Sequence, residues 1–271
     1  MKYKTILFLI LLLIFNFGYA QDSNNTELFL EYNITYNLGK TVSKKGYVFK
    51  YDSNKYFFTG KSFFKENLIQ KEEFDSITNT RSINLVSAGD GSESLITNIF
   101  EKKLTENRSF GNDILKVKEY FQEMKWIDSS RRDSIMNYEC KIFELDFRGR
   151  HYIAYVASEL EKDYSFGPWK FNGFEGVPLL IYDTENKLRW EVFNIKRLSK
   201  QELSEYATEI ENRQQKLREV DIQYFMELYD MTDGGMTFAK GYPNLGSDFK
   251  KVKDKKQYKR RGLELVFEWE E

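Results

Sequence analysis

Apolar and polar residues alternate along residues 28–38 in a way that predicts a β-strand. The even positions are apolar from Leu28 to Leu38, and Glu31, Asn33 and Asn37 are among the polar residues between them. Successive side chains of a strand point to opposite faces, so this period of two predicts a half-buried strand with the even positions inward.

Three further pairs of strand-like segments are each separated by a short turn sequence. They are residues 47–51 and 55–59 across Asp52-Ser53-Asn54, residues 138–147 and 151–157 across Arg148-Gly149-Arg150, and residues 179–183 and 188–198 across residues 184–187. Polar and glycine-containing turns between apolar runs predict β-hairpins. In the second hairpin, Phe143, Leu145 and Phe147 are expected to share one face.

Other stretches are less regular. Residues 62–80 combine a weak helical period with strand-forming residues, and residues 115–127 fit either a strand or a helix. Residues 87–92 read as a loop, residues 95–105 as strand, and residues 128–133 as a polar break. Near the end, Leu263, Leu265 and Phe267 alternate with glutamates such as Glu264, which predicts a closing strand.

One strong helix signal begins at Ser199. Ser199 and Glu202 form a capping box, in which the hydroxyl accepts a free backbone N–H and the glutamate reaches back to the cap. Apolar residues then recur at helical spacing from Leu203 to Leu228. The polar gap around Arg213 and Gln214 predicts either a kink or a solvated stretch within one long helix.

Many aromatic strands followed by one late helix indicate an α+β fold with antiparallel pairing. We expect a predominantly antiparallel, strongly curved β-sheet, arranged as a meander, with one long helix in the C-terminal third. The helix would cover an open face or edge of the sheet.

Residues 167–183, here called the central segment, carry an unusual density of backbone-shaping residues. Two of the three prolines of the chain lie there. Because glycine can take positive φ and proline fixes φ, a defined irregular loop is expected before a buried strand. The residues assigned to shaping this loop are Gly167, Pro168, Gly173, Gly176 and Pro178. Trp169, Phe171 and Phe174 are the candidate binding residues, capping an apolar groove or presenting a surface to a partner.

The first twenty residues have the pattern of a secretory signal peptide. Lys2 and Lys4 precede an apolar core at residues 6–17, and small residues end at Ala20. The alternative is a membrane anchor, but the apolar run is shorter than the roughly 20 residues that a bilayer requires. We therefore expect cleavage near Ala20, a mature protein beginning at Gln21, and one domain over residues 21–271 that is periplasmic or secreted and not integral to the membrane.

Composition narrows the class of protein. Aromatic residues make up 17% of the 271 residues, which favours sheets and a large apolar core. The formal net charge of −1 provides no general field for nucleic acid, so no nucleic-acid partner is expected. Cys140 is the only cysteine, so an exported protein of this sequence has no internal disulfide, and burial is the expected state of the thiol.

The central segment and the hairpin before it resemble a known family. Gly167-Pro168-Trp169-Lys170-Phe171 and Gly173-Phe174-Glu175-Gly176-Val177, followed by an apolar strand, resemble the signature of the GLPGLI family (the Porph_ging domain). The likeness is most specific over residues 126–183. Two departures bear on the loop geometry, because Glu175 replaces the family's proline and Val177-Pro178 its Leu-Ile. The resemblance implies an exported bacterial envelope protein of unestablished function, and it supplies no catalytic residue.

The usual catalytic side chains are scarce. His151 is the only histidine, and it follows a hairpin turn without the partners that a metal site or proton relay needs. A nucleophilic pair of Cys140 and His151 would lie on adjacent strands, but at different distances from the turn. We therefore assign no catalytic residue, no metal site and no cofactor.

Weaker patterns have plainer explanations. Residues 90–93 and 230–235 lack the alternating oxygen ligands of a calcium loop. With 42 Asp and Glu residues, any chosen carboxylate pair is uninformative. The basic run at residues 250–261 could meet anionic outer-membrane lipid or an acidic partner, but a solvated loop before an edge strand is the preferred interpretation.

These observations leave two hypotheses. The first is a non-enzymatic envelope protein that binds a partner protein or an apolar, lipid-like ligand. The family resemblance alone implies that such a protein is an accessory to an outer-membrane transport system. The second is an envelope hydrolase that acts on peptides or glycans through carboxylates. Two buried carboxylates converging in a cleft at a separation typical of glycosidases would favour the hydrolase. A continuous aromatic-lined cavity without titratable groups would favour the binding protein.

Overall fold

The computed structural model describes residues 26–60, 71–75, 80–84, 93–110, 113–121, 123–162, 164–231, 260 and 262–270. These residues form fourteen strands and two helices. The strands are β1 (Thr26–Asn37), β2 (Thr41–Tyr51), β3 (Asn54–Thr59), β4 (Lys71–Asp75), β5 (Thr80–Asn84), β6 (Ser94–Asn98), β7 (Lys103–Phe110), β8 (Asp113–Tyr120), β9 (Ile127–Ile135), β10 (Tyr138–Phe147), β11 (Arg150–Ala157), β12 (Val177–Asp183), β13 (Leu188–Ser199) and β14 (Arg218–Asp221). The helices are α1 (Lys200–Gln215) and α2 (Ile222–Met231).

Twelve of the strands belong to one open sheet with the order β14-β8-β7-β6-β3-β2-β1-β13-β12-β11-β10-β9. All its neighbours are antiparallel except β14 and β8, which are parallel. Two meanders therefore make up the sheet, and the β1–β13 pair joins them. Strands β4 and β5 form a separate two-stranded sheet.

The sheet bends back on itself. Glu119 lies on β8, and Arg148 lies in the turn that leads into β11, eight positions away in the strand order. In a flat sheet with about 4.8 Å between strands, the two strands would be roughly 40 Å apart. Nη1 of Arg148 nevertheless lies 3.1 Å from Oε2 of Glu119. The two meanders, called the two arms of the sheet below, therefore meet at these side chains. The main apolar core lies between them.

Strand β1 illustrates how the two layers are packed. Its even positions from Leu28 to Tyr36 are buried in the main core, which confirms the predicted alternation. Phe29 on the opposite face is also buried, because α1 packs over it through Leu203 and Ala207. The predicted half-buried strand is thus buried on both faces where the helix covers it.

The predicted hairpins are present as the pairs β2–β3, β10–β11 and β12–β13. The capping box is also confirmed, since the Ser199 side chain accepts from the backbone N–H of Glu202 and the Glu202 carboxylate accepts from that of Ser199. The prediction of one long helix, however, is wrong. Gln214 neither kinks a helix nor faces solvent: it is buried and donates to the Ser94 carbonyl oxygen at 3.2 Å. The chain then leaves the helix to form β14 before α2 begins.

The fold is mostly β, with two helices near the C-terminal third, so it contains less helix than the predicted α+β class.

The polar residues 128–133 are not a break but part of the edge strand β9, whose polar side chains suit an exposed sheet edge. The predicted closing strand at residues 263–267 is irregular, and Glu264 there is buried while Val266 is exposed. The predicted signal peptide at residues 1–20, the predicted loop at 87–92 and most of residues 62–80 and 250–261 lie outside the described residues.

Neither helix of the described residues is long and apolar enough to cross a membrane. Helix α1 has 16 residues, many of them charged, and α2 has 10.

Candidate functional site

Lys170 of the central segment lies at the centre of a buried group of charges. Its Nζ is 3.0 Å from Oε1 of Glu106 and 2.8 Å from Oε1 of Glu264, and it also contacts Glu119. An ammonium group has three hydrogens to donate, so three carboxylates satisfy it completely. Only 3% of the Lys170 side chain is exposed.

Two arginines complete this group. Nε of Arg108 lies 2.7 Å from Oε1 of Glu106, and Nη1 of Arg148 lies 3.1 Å from Oε2 of Glu119. Both guanidinium groups also contact Glu264. The ion cluster, as it is called below, consists of Lys170, Arg108, Arg148, Glu106, Glu119 and Glu264. The half-exposed Glu268 adds an outer contact to Arg148 at 3.0 Å.

Glu264 holds the cluster together because it touches all three cations. Burial raises the pKa of its carboxyl group, but the attraction of Lys170, Arg108 and Arg148 lowers that pKa by more, so it lies well below its usual range. Glu264 is therefore ionised throughout the physiological pH range.

The local structure explains how these side chains meet. Glu106 and Arg108 are two residues apart on β7 and so share one face, and Glu119 follows Val117 on the inward face of β8. Arg148 comes from the β10–β11 turn, where its φ of 46° is in the left-handed region. The cluster thus joins both arms of the sheet, the central segment and the irregular segment at residues 262–270.

A cavity of about 340 Å³ lies next to the ion cluster. Its apolar wall is contributed by strands, by the central segment, by α2 and by the segment after residue 260: Phe57, Leu95, Trp169, Phe225, Met226, Tyr229 and Leu263. Its polar wall comprises Glu93, Ser94, Glu106, Asn107, Arg108, Ser109 and Glu264, with Gly262 beside them. The volume lies within the range of about 300–1,000 Å³ that is typical of small-molecule sites.

The three candidate binding residues are buried rather than displayed at the surface. Trp169 is 2% exposed and stacks on Trp190, with ring centroids 6.0 Å apart and planes at 7°. Phe171 meets the edge of Tyr152 at 5.0 Å, and Phe174 stacks on Trp126 at 4.7 Å. The loop turns into the space between the two arms of the sheet, so a partner surface made of these rings is not what the structure contains. Trp169 alone of the three lines the cavity.

The backbone of the central segment follows the tight path expected of its glycines and prolines. Gly173 and Gly176 have φ of 82° and 138°. A Cβ at Gly173 would lie 2.2 Å from the carbonyl oxygen of Met124, and one at Gly167 would lie 3.0 Å from the Phe174 ring and 3.1 Å from the Pro178 ring. The peptide bonds at Pro168 and Pro178 are trans.

Trp169 itself has φ of 50°, which is uncommon for a bulky residue. Such a conformation persists when the surroundings hold it in place. Here Nζ of Lys55 donates to the Trp169 carbonyl oxygen at 2.6 Å, while Trp190 and Phe147 hold the ring.

The conventional catalytic candidates are separate from this site. Cys140 is buried, and burial raises the pKa of its thiol to about 11, so it is neither exposed nor activated. His151 pairs with Asp146 in the β10–β11 register, and its Nδ1 lies 2.8 Å from that carboxylate. Cys140 is six residues before Asp146 on the same strand, so the side chains of Cys140 and His151 are apart, as expected.

Within the described part of the chain, no group of His, Cys, Asp or Glu side chains is arranged to hold a metal ion. Of the two calcium candidates, only Glu93 in the first and Asp230 and Met231 in the second are described. Asp230 there forms an ion pair with Arg260.

The ion cluster was missed at the sequence level, although one signal was present. Glu106 and Arg108 continue the inward face of Leu104, but the predicted strand ended at Thr105. Charged residues at inward positions of a strand imply buried partners. No local pattern, however, identified Lys170 or Glu264 as those partners.

No family model matches the sequence, and no curated protein matches it. Similar solved structures include PNGF-II in a C2 and in a P21 space group, with TM-scores of 0.48 and 0.47 and 13% sequence identity in both comparisons. The matches cover 75% of this chain and 32% and 33% of those chains. This chain thus spans about a third of the length of the chains it resembles.

Proposed function

We propose that this protein is a non-enzymatic, exported envelope protein of the GLPGLI type that binds an apolar ligand or an apolar group of a partner protein in the cavity beside the ion cluster. In this proposal the chain is one domain after cleavage near Ala20, lies in the periplasm or is secreted, and serves as an accessory to an outer-membrane transport system. It has no nucleic-acid partner.

The observation that carries the proposal is the lining of the cavity. Phe57, Trp169 and Phe225 provide aromatic walls, and Met226 adds a flexible apolar side chain that can adapt to different shapes. Pockets for small molecules typically combine such walls with a few polar groups that set orientation. Arg108 is the charged group placed to do so.

The hydrolase hypothesis has one observation in its favour, which is that Glu106 and Glu264 both line the cavity. A general acid, however, must keep its proton near neutral pH, and enzymes achieve this by raising the pKa of a carboxyl group. The cations around Glu264 hold its pKa well below its usual range instead. Glu106 is likewise bonded to Arg108 and Lys170. Fully paired carboxylates support a binding role better than acid–base chemistry.

The test uses the neutral fluorescent probe N-phenyl-1-naphthylamine and a variant that obstructs the cavity. Among the described residues, the atom nearest to a Cβ at Gly262 would be the Glu264 carbonyl oxygen at 4.0 Å, so Gly262→Phe can attach a ring at the cavity wall without a clash at its Cβ. We expect saturable probe binding to the wild type and a loss of at least about tenfold in affinity in Gly262→Phe.

The matched control is Ser134→Phe, which places the same ring on the exposed edge strand β9. It should bind the probe like the wild type, with a similar melting temperature for all three proteins. Equal binding by the wild type and Gly262→Phe, or no saturable binding by the wild type, would refute the role assigned to the cavity. Capture of envelope lipids and proteins with the wild type and Gly262→Phe in parallel, followed by mass spectrometry, then identifies the natural occupant.

A further inference from the structure

Arg108 has more hydrogen-bond donors than its neighbours use. Its Nε and Nη2 atoms bond to Glu106, and Nη2 also contacts Glu264. Among the described residues, Nη1 has only the thioether sulfur of Met226, at 3.8 Å. Sulfur is a weak acceptor, so within the described ranges the two N–H groups of Nη1 have no oxygen partner.

These donors lie at the cavity. Met226 lines it, and so does Phe225, whose ring centroid is 5.4 Å from Cζ of Arg108. About four-fifths of the Arg108 side chain is removed from solvent, since 19% of it is exposed. A donor that is withdrawn from water without an acceptor costs free energy, and a ligand oxygen at Nη1 would recover it.

The charges of the ion cluster decide which kind of oxygen fits. Lys170, Arg108 and Arg148 carry three positive charges, and the three buried glutamates carry three negative charges. The half-exposed Glu268 adds a further negative charge on the outer side. No surplus of positive charge therefore remains to offset the desolvation of a ligand carboxylate or phosphate. A neutral acceptor has no such cost.

We propose that the cavity binds a neutral amphiphile, whose carbonyl oxygen accepts from Nη1 of Arg108 while its apolar body packs between Trp169 and Phe225. The inference rests on the proposed binding function and specifies the ligand class. In this proposal the aromatic rings provide most of the binding free energy, and Arg108 discriminates between ligands. A site built to hydrogen-bond a ligand group discriminates strongly against analogues that lack it.

The test compares three ligands with the same phenylbutyl body: 4-phenylbutyramide, 4-phenylbutyrate and butylbenzene. Their affinities for the purified protein are measured by displacement of N-phenyl-1-naphthylamine at pH 7 and checked by calorimetry. We expect the amide to bind at least about tenfold more tightly than either of the other two. It is the one ligand of the three that is uncharged and also has a hydrogen-bond acceptor.

Arg108→Lys sharpens the test, since lysine keeps the positive charge beside Glu106 and Glu264 but lacks the second fork nitrogen. The preference for the amide over butylbenzene should fall to less than about threefold. Arg148→Lys is the matched control, because Arg148 belongs to the ion cluster but does not line the cavity, and it should keep the preference. If Arg108→Lys does not fold, the ligand series on the wild type decides the matter alone.

The outcomes separate the two claims. Equal binding of amide and butylbenzene would overturn the assignment to Arg108 while leaving an apolar site in place. Tightest binding of phenylbutyrate would overturn the neutral ligand class. Failure of all three ligands and of the probe to bind the folded wild type would overturn the proposed function as well.

Discussion

Two lysines are buried beside the central segment, and their surroundings are opposite in kind. Lys170 is held by three carboxylates in the ion cluster. Lys55 is 1% exposed, and its Nζ donates to the backbone carbonyl oxygen of Trp169 at 2.6 Å. Among the described residues, no carboxylate forms an ion pair with Lys55. One region of the interior therefore contains a compensated charge and the other an uncompensated one.

Both buried charges make stability rise with pH, but they do so in different pH ranges. Burial lowers the pKa of Lys55 to about 7, so between pH 7 and its ordinary pKa of 10.5 the unfolded state binds more protons and stability rises with pH. At the ion cluster, the lowered pKa of Glu264 contributes stability above the ordinary glutamate pKa of about 4.3, and this is lost as pH falls below it.

The largest effect is expected from Lys170→Met. Without the ammonium group, Glu106, Glu119 and Glu264 share only two arginines, and removing one partner of a buried ionic group typically costs about 3–5 kcal/mol. Urea unfolding at pH 7 measures this loss. The gap between wild type and variant should narrow as pH falls below about 4.3, because the unfolded state then binds a proton at Glu264 that the lowered pKa keeps off the folded wild type. A loss below about 1 kcal/mol at pH 7 would mean that the cluster does not bear on stability.

Next in size is Trp169→Ala. The ring centroid of Trp169 lies 5.8 Å from Nζ of Lys170, and its backbone carbonyl oxygen accepts from Lys55. Substitution of a buried Phe or Trp by Ala typically costs about 3–5 kcal/mol, and the existing cavity next to Trp169 places the expected value near 3 kcal/mol. The exposed Trp269, whose ring stacks on Phe267 at 4.6 Å, serves as the control, and Trp269→Ala should cost less than about 1 kcal/mol. Equal losses in the two variants would contradict the core position of Trp169.

A smaller and pH-dependent effect is expected from Lys55→Met. Below pH 7 the wild type carries the full cost of burying an ammonium group, whereas at higher pH the folded protein releases that proton. The stability of the wild type relative to Lys55→Met should therefore increase by on the order of 2 kcal/mol between pH 7 and pH 9. Denaturant titrations at both pH values measure it, and a difference that stays constant with pH would show that Lys55 has an ordinary pKa.

The smallest effect is expected from Lys118→Met, because Lys118 is a surface lysine and serves as the reference for the two buried ones. Lys118 is on β8, and its Nζ lies 2.8 Å from Oε1 of Glu219 at the surface. Solvent screens exposed ion pairs, so they contribute little to stability, and the urea midpoint of the variant should stay close to that of the wild type. A loss as large as that of Lys170→Met would mean that burial does not distinguish the two lysines.

Local patterns predicted the local structure well. The alternation from Leu28 to Tyr36, the turn residues of three hairpins and the capping box at Ser199 each depend on residues close together in the chain, and each is confirmed. The single long helix was wrong because Gln214 finds its partners on β6 and β7, at a sequence separation that no helical period reveals.

The candidate site depends on distant contacts, and this is why it was missed. The sequence indicates that Trp169 lies in a loop, but not that the loop turns inward between the two arms of a bent sheet. Likewise, Leu263, Leu265 and Phe267 form an alternating pattern that predicts a strand. Glu264 is drawn inward instead, because three cations from other parts of the chain surround it.

The contacts of Glu264 also have a consequence for the order of folding events. Glu264 lies 94 residues after Lys170, 116 after Arg148 and 156 after Arg108. Contacts between such distant positions are slow to form, because the loop-closure entropy is lost before the contact is gained. The hairpins, whose partners are close in sequence, should form first and bring the cations together, and Glu264 should dock last. Glu264→Gln would then speed unfolding while leaving the folding rate nearly unchanged. The contacts of this carboxylate slow unfolding but do not belong to the folding nucleus.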